Sequence, residues 1–137
     1  MRSDDGQLPT ILIAEDGDDL RSMLKQFLEA NGYRVLEAVD GREAVAVALG
    51  ERPDLVLMDL GLPGTDGLSA VAEIREHVPA AELPVLIVSA YDRLEYRTEA
   101  VSAGCSGYVT KPDDPAALLR TIRLLLRQGD VEGGAPV

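Results

Sequence analysis

Acidic, hydroxyl and basic side chains stand at or just after the short apolar runs of this chain, and their types fit one chemistry. Glu15 and Asp16 follow Thr10-Ile11-Leu12-Ile13-Ala14, Asp59 follows Leu55-Val56-Leu57-Met58, and Ser89 follows Val85-Leu86-Ile87-Val88. Tyr108 lies in the run Gly107-Tyr108-Val109, with Lys111-Pro112 just beyond it. Three carboxylates sharing one small site repel each other unless they take up protons or hold a hard cation. Oxygen donors with no His or Cys nearby point to Mg2+, which keeps several waters and accepts a phosphate oxygen. Lys111 adds a movable positive charge and Ser89 a hydroxyl donor, so the set suits an incoming phosphoryl group. Each residue also has a plain structural role, because Asp and Ser at strand ends cap helices and make turns. That plain role is preferred for Asp18 and Asp19, as cap and acidic helix start, and for Asp66 and Gly67, as cap and turn. Four separate strand ends offering complementary parts of one site weigh against it for the others.

The elements that must position these residues read as strands and helices in strict alternation. Five short runs are strand candidates, and three of them are apolar throughout, as in strands covered on both faces. The run Arg34-Val35-Leu36-Glu37-Ala38 is more polar and belongs at an edge. Leu20, Met23, Leu24, Phe27 and Leu28 have helical spacing, with Asn31-Gly32 as a stop. Asp40-Gly41-Arg42-Glu43 reads as a capping box for a second helix burying Ala44, Val47 and Ala48. Asp66 caps a third that buries Leu68, Val71, Ala72 and Ile74, and residues 79–84 form a loop. A fourth helix, about Asp92 to Ala103, has only a ragged apolar stripe, as a marginal, movable element would. The fifth runs from Asp114 or Pro115 to Gln128, with Gly129 just past its end. Alternation with short connections implies a doubly wound parallel α/β sheet with helices on both faces, and such sheets bind ligands at the carboxyl ends of their strands.

Composition narrows the functions open to such a fold. The chain has 137 residues, 46% of them hydrophobic, and 24 Asp and Glu against 13 Lys and Arg give a net charge of −11. One domain of this size folds without staples, and wholesale disorder is excluded. Cys105 and His77 are each the sole residue of their type, so an intrachain disulfide and a multi-cysteine zinc site are ruled out. The acidic balance argues against sequence-independent binding to nucleic acid, and no apolar run approaches a membrane span. Met1 to Pro9 is polar and lacks a signal-peptide core. The expectation is a soluble cytoplasmic protein that meets other proteins, cations or small molecules.

The ordered motifs Ile11-Leu12-Ile13-Ala14-Glu15-Asp16, Leu55-Val56-Leu57-Met58-Asp59-Leu60-Gly61-Leu62-Pro63-Gly64-Thr65-Asp66-Gly67, Val88-Ser89-Ala90 and Gly104-Cys105-Ser106-Gly107-Tyr108-Val109-Thr110-Lys111-Pro112 carry a resemblance. Over about Leu8 to Gln128 the chain resembles the receiver domain of two-component response regulators. The resemblance implies a flavodoxin- and CheY-like fold: a five-stranded parallel sheet in the order 2-1-3-4-5, flanked by five helices. It implies a receiver over 8–128 with flexible tails at 1–7 and 129–137. By the same similarity Asp59 accepts a phosphoryl group from a phosphohistidine on a sensor kinase or phosphotransfer protein. Asp16 and Asp59 would bind Mg2+ directly, the Gly61 carbonyl would complete the protein ligands, and Glu15 would act through water. Lys111 would pair with the phosphate, Ser89 would hydrogen-bond it, and Tyr108 would be the rotamer-switching aromatic. Such a domain catalyses only its own phosphorylation and slow dephosphorylation, and signals through protein contacts, including a homodimer through the fourth helix, fifth strand and fifth helix.

Several positions depart from the family pattern or leave alternatives. Glu15 stands where Asp is commoner, Leu62 where Met is frequent, and Gly17 where a polar residue is frequent. Gly61 and Tyr91 occupy positions that tune acyl-phosphate hydrolysis. A haloacid-dehalogenase-like phosphatase would need a second Asp two residues beyond its nucleophile, where this chain has Gly61. A receiver-like module that is not phosphorylated, and a piece of a hybrid kinase or longer regulator, are the other readings. The short stretch after Gln128 holds no helix-turn-helix or catalytic domain, so output would pass through another protein. Arg120, Arg123 and Arg127 form a basic strip on the fifth helix, read first as a solvated face and second as an acidic partner's docking strip.

Overall fold

A computed structural model of the chain describes residues 8–90, 93–110 and 114–130, with side chains described to residue 127. The expected tail at 1–7, residues 131–137 of the one expected over 129–137, Asp92 at the expected start of the fourth helix, and the motif residues Tyr91, Lys111 and Pro112 lie outside the described residues, while 129 and 130 belong to the last helix.

Strands and helices alternate strictly. The strands are β1 (Thr10–Ala14), β2 (Arg34–Ala38), β3 (Leu55–Met58), β4 (Val85–Ser89) and β5 (Gly107–Thr110). The helices are α1 (Asp18–Ala30), α2 (Gly41–Glu51), α3 (Gly67–Arg75), α4 (Leu94–Ala103) and α5 (Pro115–Asp130). All strand pairs are parallel and the sheet order is β2-β1-β3-β4-β5, which places the polar β2 at an edge. Registers such as Ala14 with Ala38 and with Met58 bring the strand ends level, so the following loops open on one edge of the sheet.

Alternate residues of each central strand feed two separate cores. Leu12, Ala14, Val56, Met58, Val85 and Ile87 pack under α2, α3 and α4, whereas Ile11, Ile13, Leu55, Leu57, Leu86 and Val88 pack under α1 and α5. β3 is therefore apolar at every position, and β1 and β4 are apolar but for Thr10 at the start of one and Ser89 at the end of the other, because both faces are covered.

Local chemistry sets most helix ends. Asp40 caps α2 as its spacing predicts, accepting from the Glu43 N–H at 2.7 Å, while the returning Glu43 carboxylate accepts from the N–H of Val39, one residue before the cap, at 2.8 Å. Asp66 caps α3 by accepting from the Ser69 N–H at 2.8 Å. Four details differ from the sequence reading. The residue before α1 is Gly17, with no side-chain cap, and Asp18 and Asp19 lie inside the first turn. Met23 is 54% exposed, since it lies about 100° round the helix from Leu24, beyond the edge of the apolar stripe. Ala72 is likewise exposed and Ala70 buried in its place, as Ala72 lies about 100° from Val71. α5 continues through Gly129 to Asp130, because the last turn needs only backbone hydrogen bonds that glycine supplies.

Two glycines allow the tightest approaches near the site edge. A Cβ on Gly41 would lie 1.6 Å from the Thr65 carbonyl oxygen, and one on Gly67 would lie 2.3 Å from the Asp59 carbonyl oxygen. At the opposite edge Arg75 binds α3 to its neighbours. Its guanidinium donates to the carbonyls of Gly104 (2.7 Å), Leu83 (2.8 Å) and Val78 (3.3 Å) and to Ser106 Oγ (3.4 Å). Burial holds its pKa below the ordinary arginine value, with the neighbouring Cys105 acting in the other direction. Among the described residues no helix is long and apolar enough to cross a membrane.

Candidate functional site

The carboxyl edge of the sheet gathers the acidic residues that the sequence places after separate strands. One carboxylate oxygen from each of Glu15, Asp16 and Asp59 lies within 4.8 Å of the other two. The backbone brings them together: the Asp59 N–H donates to the Ala14 carbonyl at 3.1 Å, and the Glu15 N–H to the Ala38 carbonyl at 3.0 Å. Both loops are thus continuations of the β1 ladder. Burial grades the three groups, with Glu15 6% exposed, Asp59 partly exposed and Asp16 exposed. Glu15 Oε2 accepts from the Gly17 N–H at 3.0 Å, so the longer acidic arm folds back on its own loop. Converging hard oxygen donors of this kind fit a small divalent cation such as Mg2+.

The remaining residues are distributed around this cluster. Ser89 ends β4 with 0% exposure, and the pairing of Met58 with Ile87 puts Val88 beside Asp59 and Ser89 one residue beyond. Gly61 follows Asp59 in the β3–α3 loop, where an added Cβ would stand 3.9 Å from Asp59 Oδ2, so the approach to that carboxylate is open from this side. Tyr108 is half-buried on β5, paired in register with Ile87. Lys111, one residue past β5, lies outside the described residues.

Three arginines with structural parts here were not singled out from sequence. Arg21 of α1 donates to the Glu15 carbonyl, to Glu37 and to Asp18. Arg97 of α4 lies over the Tyr108 ring, 4.6 Å from its centroid, and donates to Thr110 Oγ1 at 3.0 Å. That stacking and hydrogen bond tie α4 to the strand carrying Tyr108. Arg75 forms the clamp at the far edge. Only Arg21 had a local signal, its i,i+3 spacing from Asp18. The bonds of Arg75 to Gly104 and Ser106 and of Arg97 to Thr110 join segments 13 to 31 residues apart.

A doubly wound parallel sheet with an acidic, oxygen-rich cluster at its carboxyl edge defines a class of α/β proteins that handle charged ligands at that edge. The sequence profile of the family described as the response regulator receiver domain matches residues 11–123. The chain belongs to that family. It is 36% identical over 116 residues to Protein PilH of Pseudomonas aeruginosa, covering 85% of this chain and 96% of PilH. It is 37% identical over 131 residues to the probable transcriptional regulatory protein TcrX of Mycobacterium tuberculosis, covering 96% of this chain and 55% of TcrX. The chain thus spans about half the length of TcrX and of the other curated transcriptional regulators it matches. A CheY-like receiver domain protein of Methanospirillum hungatei superposes with a TM-score of 0.85 at 30% identity, covering 90% of this chain and 98% of that one. The five-stranded order and five flanking helices agree with these neighbours. The chain is therefore a receiver domain of the signalling type.

Proposed function

We propose that this receiver accepts a phosphoryl group on the Asp59 carboxylate from a phosphohistidine on a sensor kinase or phosphotransfer protein, and passes the signal on through protein contacts. The observation that carries this reading is the meeting of Glu15, Asp16 and Asp59 within 4.8 Å at the carboxyl edge. Asp16, Asp59 and the Gly61 carbonyl would hold Mg2+, with Glu15 acting through water. Bound there, Mg2+ supplies charge neutralisation for the phosphoryl oxygens. An Asp59 oxygen attacks phosphorus, an O–P bond forms, and the donor's N–P bond breaks with its electron pair passing to the imidazole nitrogen. Lys111 pairs with the transferred group, as the family resemblance implies. Ser89, held in the buried end of β4, donates its hydroxyl to a phosphoryl oxygen.

The new acyl phosphate adds about one to two negative charges and several acceptor oxygens, by analogy with hydroxyl phosphorylation. Movement of Ser89 toward it vacates space beside Tyr108, whose inward rotation alters the α4–β5–α5 face. This is a shift between two states of one fold. α4 suits such a shift: among its side chains only Ala100 is buried, while Leu94 is 75% and Val101 69% exposed. That face, with Leu124 and the arginines of α5, is where a downstream protein or a second copy would dock. TcrX and its fellow relatives are named as transcriptional regulators, so a DNA-binding output in a longer partner or chain accords with the same reading.

The test is intact mass after incubation with Mg2+ and acetyl phosphate, beside Asp59→Asn and an EDTA control. One phosphoryl adduct on the wild type, absent from both controls, is expected. No adduct on the wild type, with a known receiver labelled in the same tube, overturns the reading in favour of a receiver-like module that binds without phosphorylation.

A further inference from the structure

The turn carrying two of the three carboxylates begins α1 with a weakness. Its residue before the helix, Gly17, provides no side-chain cap, and glycine restrains its own backbone least of all residues. Asp16 is exposed, so no packing fixes its side chain. Within the turn the Gly17 N–H donates to Glu15 Oε2 at 3.0 Å, a bond between its own residues that does not tie it to the sheet, so a brace from outside is needed if Asp16 is to stay level with Asp59.

Arg21, one turn into α1, reaches back across the gap with all three of its nitrogens. Nη1 donates to the Glu15 carbonyl at 3.0 Å, Nη2 to Asp18 Oδ1 at 2.7 Å and Nε to Glu37 Oε1 at 3.0 Å. The arginine side chain is 15% exposed although Asp18 is 86% exposed, so the guanidinium sits within the turn while one partner lies in solvent. Glu37 is on β2, whose register with β1 is continuous from Thr10 to Ala14. The fork therefore braces the acidic turn against the edge of the sheet.

The bond to Glu15 matters most. The Glu15 carbonyl and the Asp16 N–H belong to one planar peptide unit, so pinning that carbonyl restrains the φ of Asp16 and the direction in which its side chain leaves the backbone. We propose that Arg21 is a positioning residue for the acidic cluster: by holding the Glu15–Asp16 peptide it presents Asp16 to a divalent cation shared with Asp59, without touching cation or phosphoryl group. This rests on the Mg2+-dependent reading above and adds a residue to it. Geometry rather than charge is the active ingredient, because three bonds at fixed angles need the planar fork that lysine lacks.

Calorimetric titration of the full chain with Mg2+ alone tests this, comparing wild type with Arg21→Met, Arg21→Lys and, as a stability control at the far edge, Arg75→Met. Initial phosphorylation rates with acetyl phosphate over a range of Mg2+ concentrations form a second arm. Both Arg21 variants are expected to weaken Mg2+ binding about tenfold, in line with the loss of an outer-shell partner. Rates of both should return toward wild type at saturating Mg2+. Arg75→Met should lower the melting temperature while leaving Mg2+ binding unchanged. If Arg21→Met fails to fold, Arg21→Lys carries the comparison. Wild-type affinity in Arg21→Lys, or loss of affinity in Arg75→Met equal to that in the Arg21 variants, overturns the positioning role. Wild-type protein that binds Mg2+ but gains no phosphoryl group overturns the phosphoacceptor reading while the titration still decides Arg21. Wild-type protein that binds no Mg2+ overturns both.

Discussion

Charge at single residues is used in two ways in this molecule. At the carboxyl edge Glu15, Asp16 and Asp59 each bring a carboxylate oxygen within 4.8 Å of the other two, a donor set able to hold a metal ion. At the far edge the Arg75 guanidinium is engaged by backbone carbonyls and Ser106, and beside it Cys105 sits partly buried. Burial raises the Cys105 pKa above its ordinary value, opposed by the backbone N–H of Gly107 and by Arg75. An unfolded thiol releases its proton near pH 8.5, whereas the folded one keeps it to higher pH. The folded state then binds more protons, so stability is full below that pH and falls as pH rises from the unfolded toward the folded pKa. Urea unfolding between pH 7.5 and 10 should show a steeper loss in wild type than in Cys105→Ala. Equal slopes would mean that the thiol titrates alike in both states.

Elements are placed by close approaches as much as by apolar faces. The start of α2 sits against the β3–α3 loop, with the Gly41 N–H donating to the Pro63 carbonyl at 3.4 Å and no room for a side chain. Gly41→Ala forces backbone atoms apart, at a cost of about 3 kcal/mol. Because that loop follows Asp59, the same substitution should also slow phosphorylation by acetyl phosphate. Chemical denaturation and the mass assay measure the two effects, and an unchanged rate would show that the strain is absorbed in α2. Gly67, beneath the Asp59 carbonyl, makes the same demand on α3. α4 is the contrasting element, held through Ala100, Tyr96 and the Arg97 contacts to β5 rather than by a broad apolar stripe.

Across the whole molecule the net charge of −11 governs how stability responds to salt. Self-repulsion of this size destabilises the compact state most where screening is weak, the Debye length being about 30 Å at 0.01 M salt and about 10 Å at 0.1 M. Arg120 and Arg123 are exposed, so reversing them removes little packing. Two Arg→Glu changes, each of two charge units, take the net charge from −11 to −15. Melting of Arg120→Glu/Arg123→Glu in EDTA should therefore begin lower than wild type in low salt and converge with it as salt rises. A salt-independent gap would place these arginines in specific contacts. Sedimentation of the same pair tests self-association through α5, and unchanged oligomerisation and partner binding would leave the strip as a solvated face.

The alternation of strand and helix, the edge position of the polar β2 and the capping by Asp40 and Asp66 were legible in the sequence, because periodicity, polarity and capping are local, whereas the full strand order came from the family resemblance and not from patterning. The three carboxylates were legible too, since topology sends the ends of parallel strands to one edge. Local periodicity misjudged Met23 and Ala72, whose burial depends on where a helix stripe ends against its neighbours. The uncapped start of α1 was hidden for a related reason: Asp18 and Asp19 look like caps, yet the chain turns at Gly17 and Arg21 braces it. Arg21, Arg75 and Arg97 act through partners up to 31 residues away, and tertiary packing alone decides which of them a long, charged side chain meets.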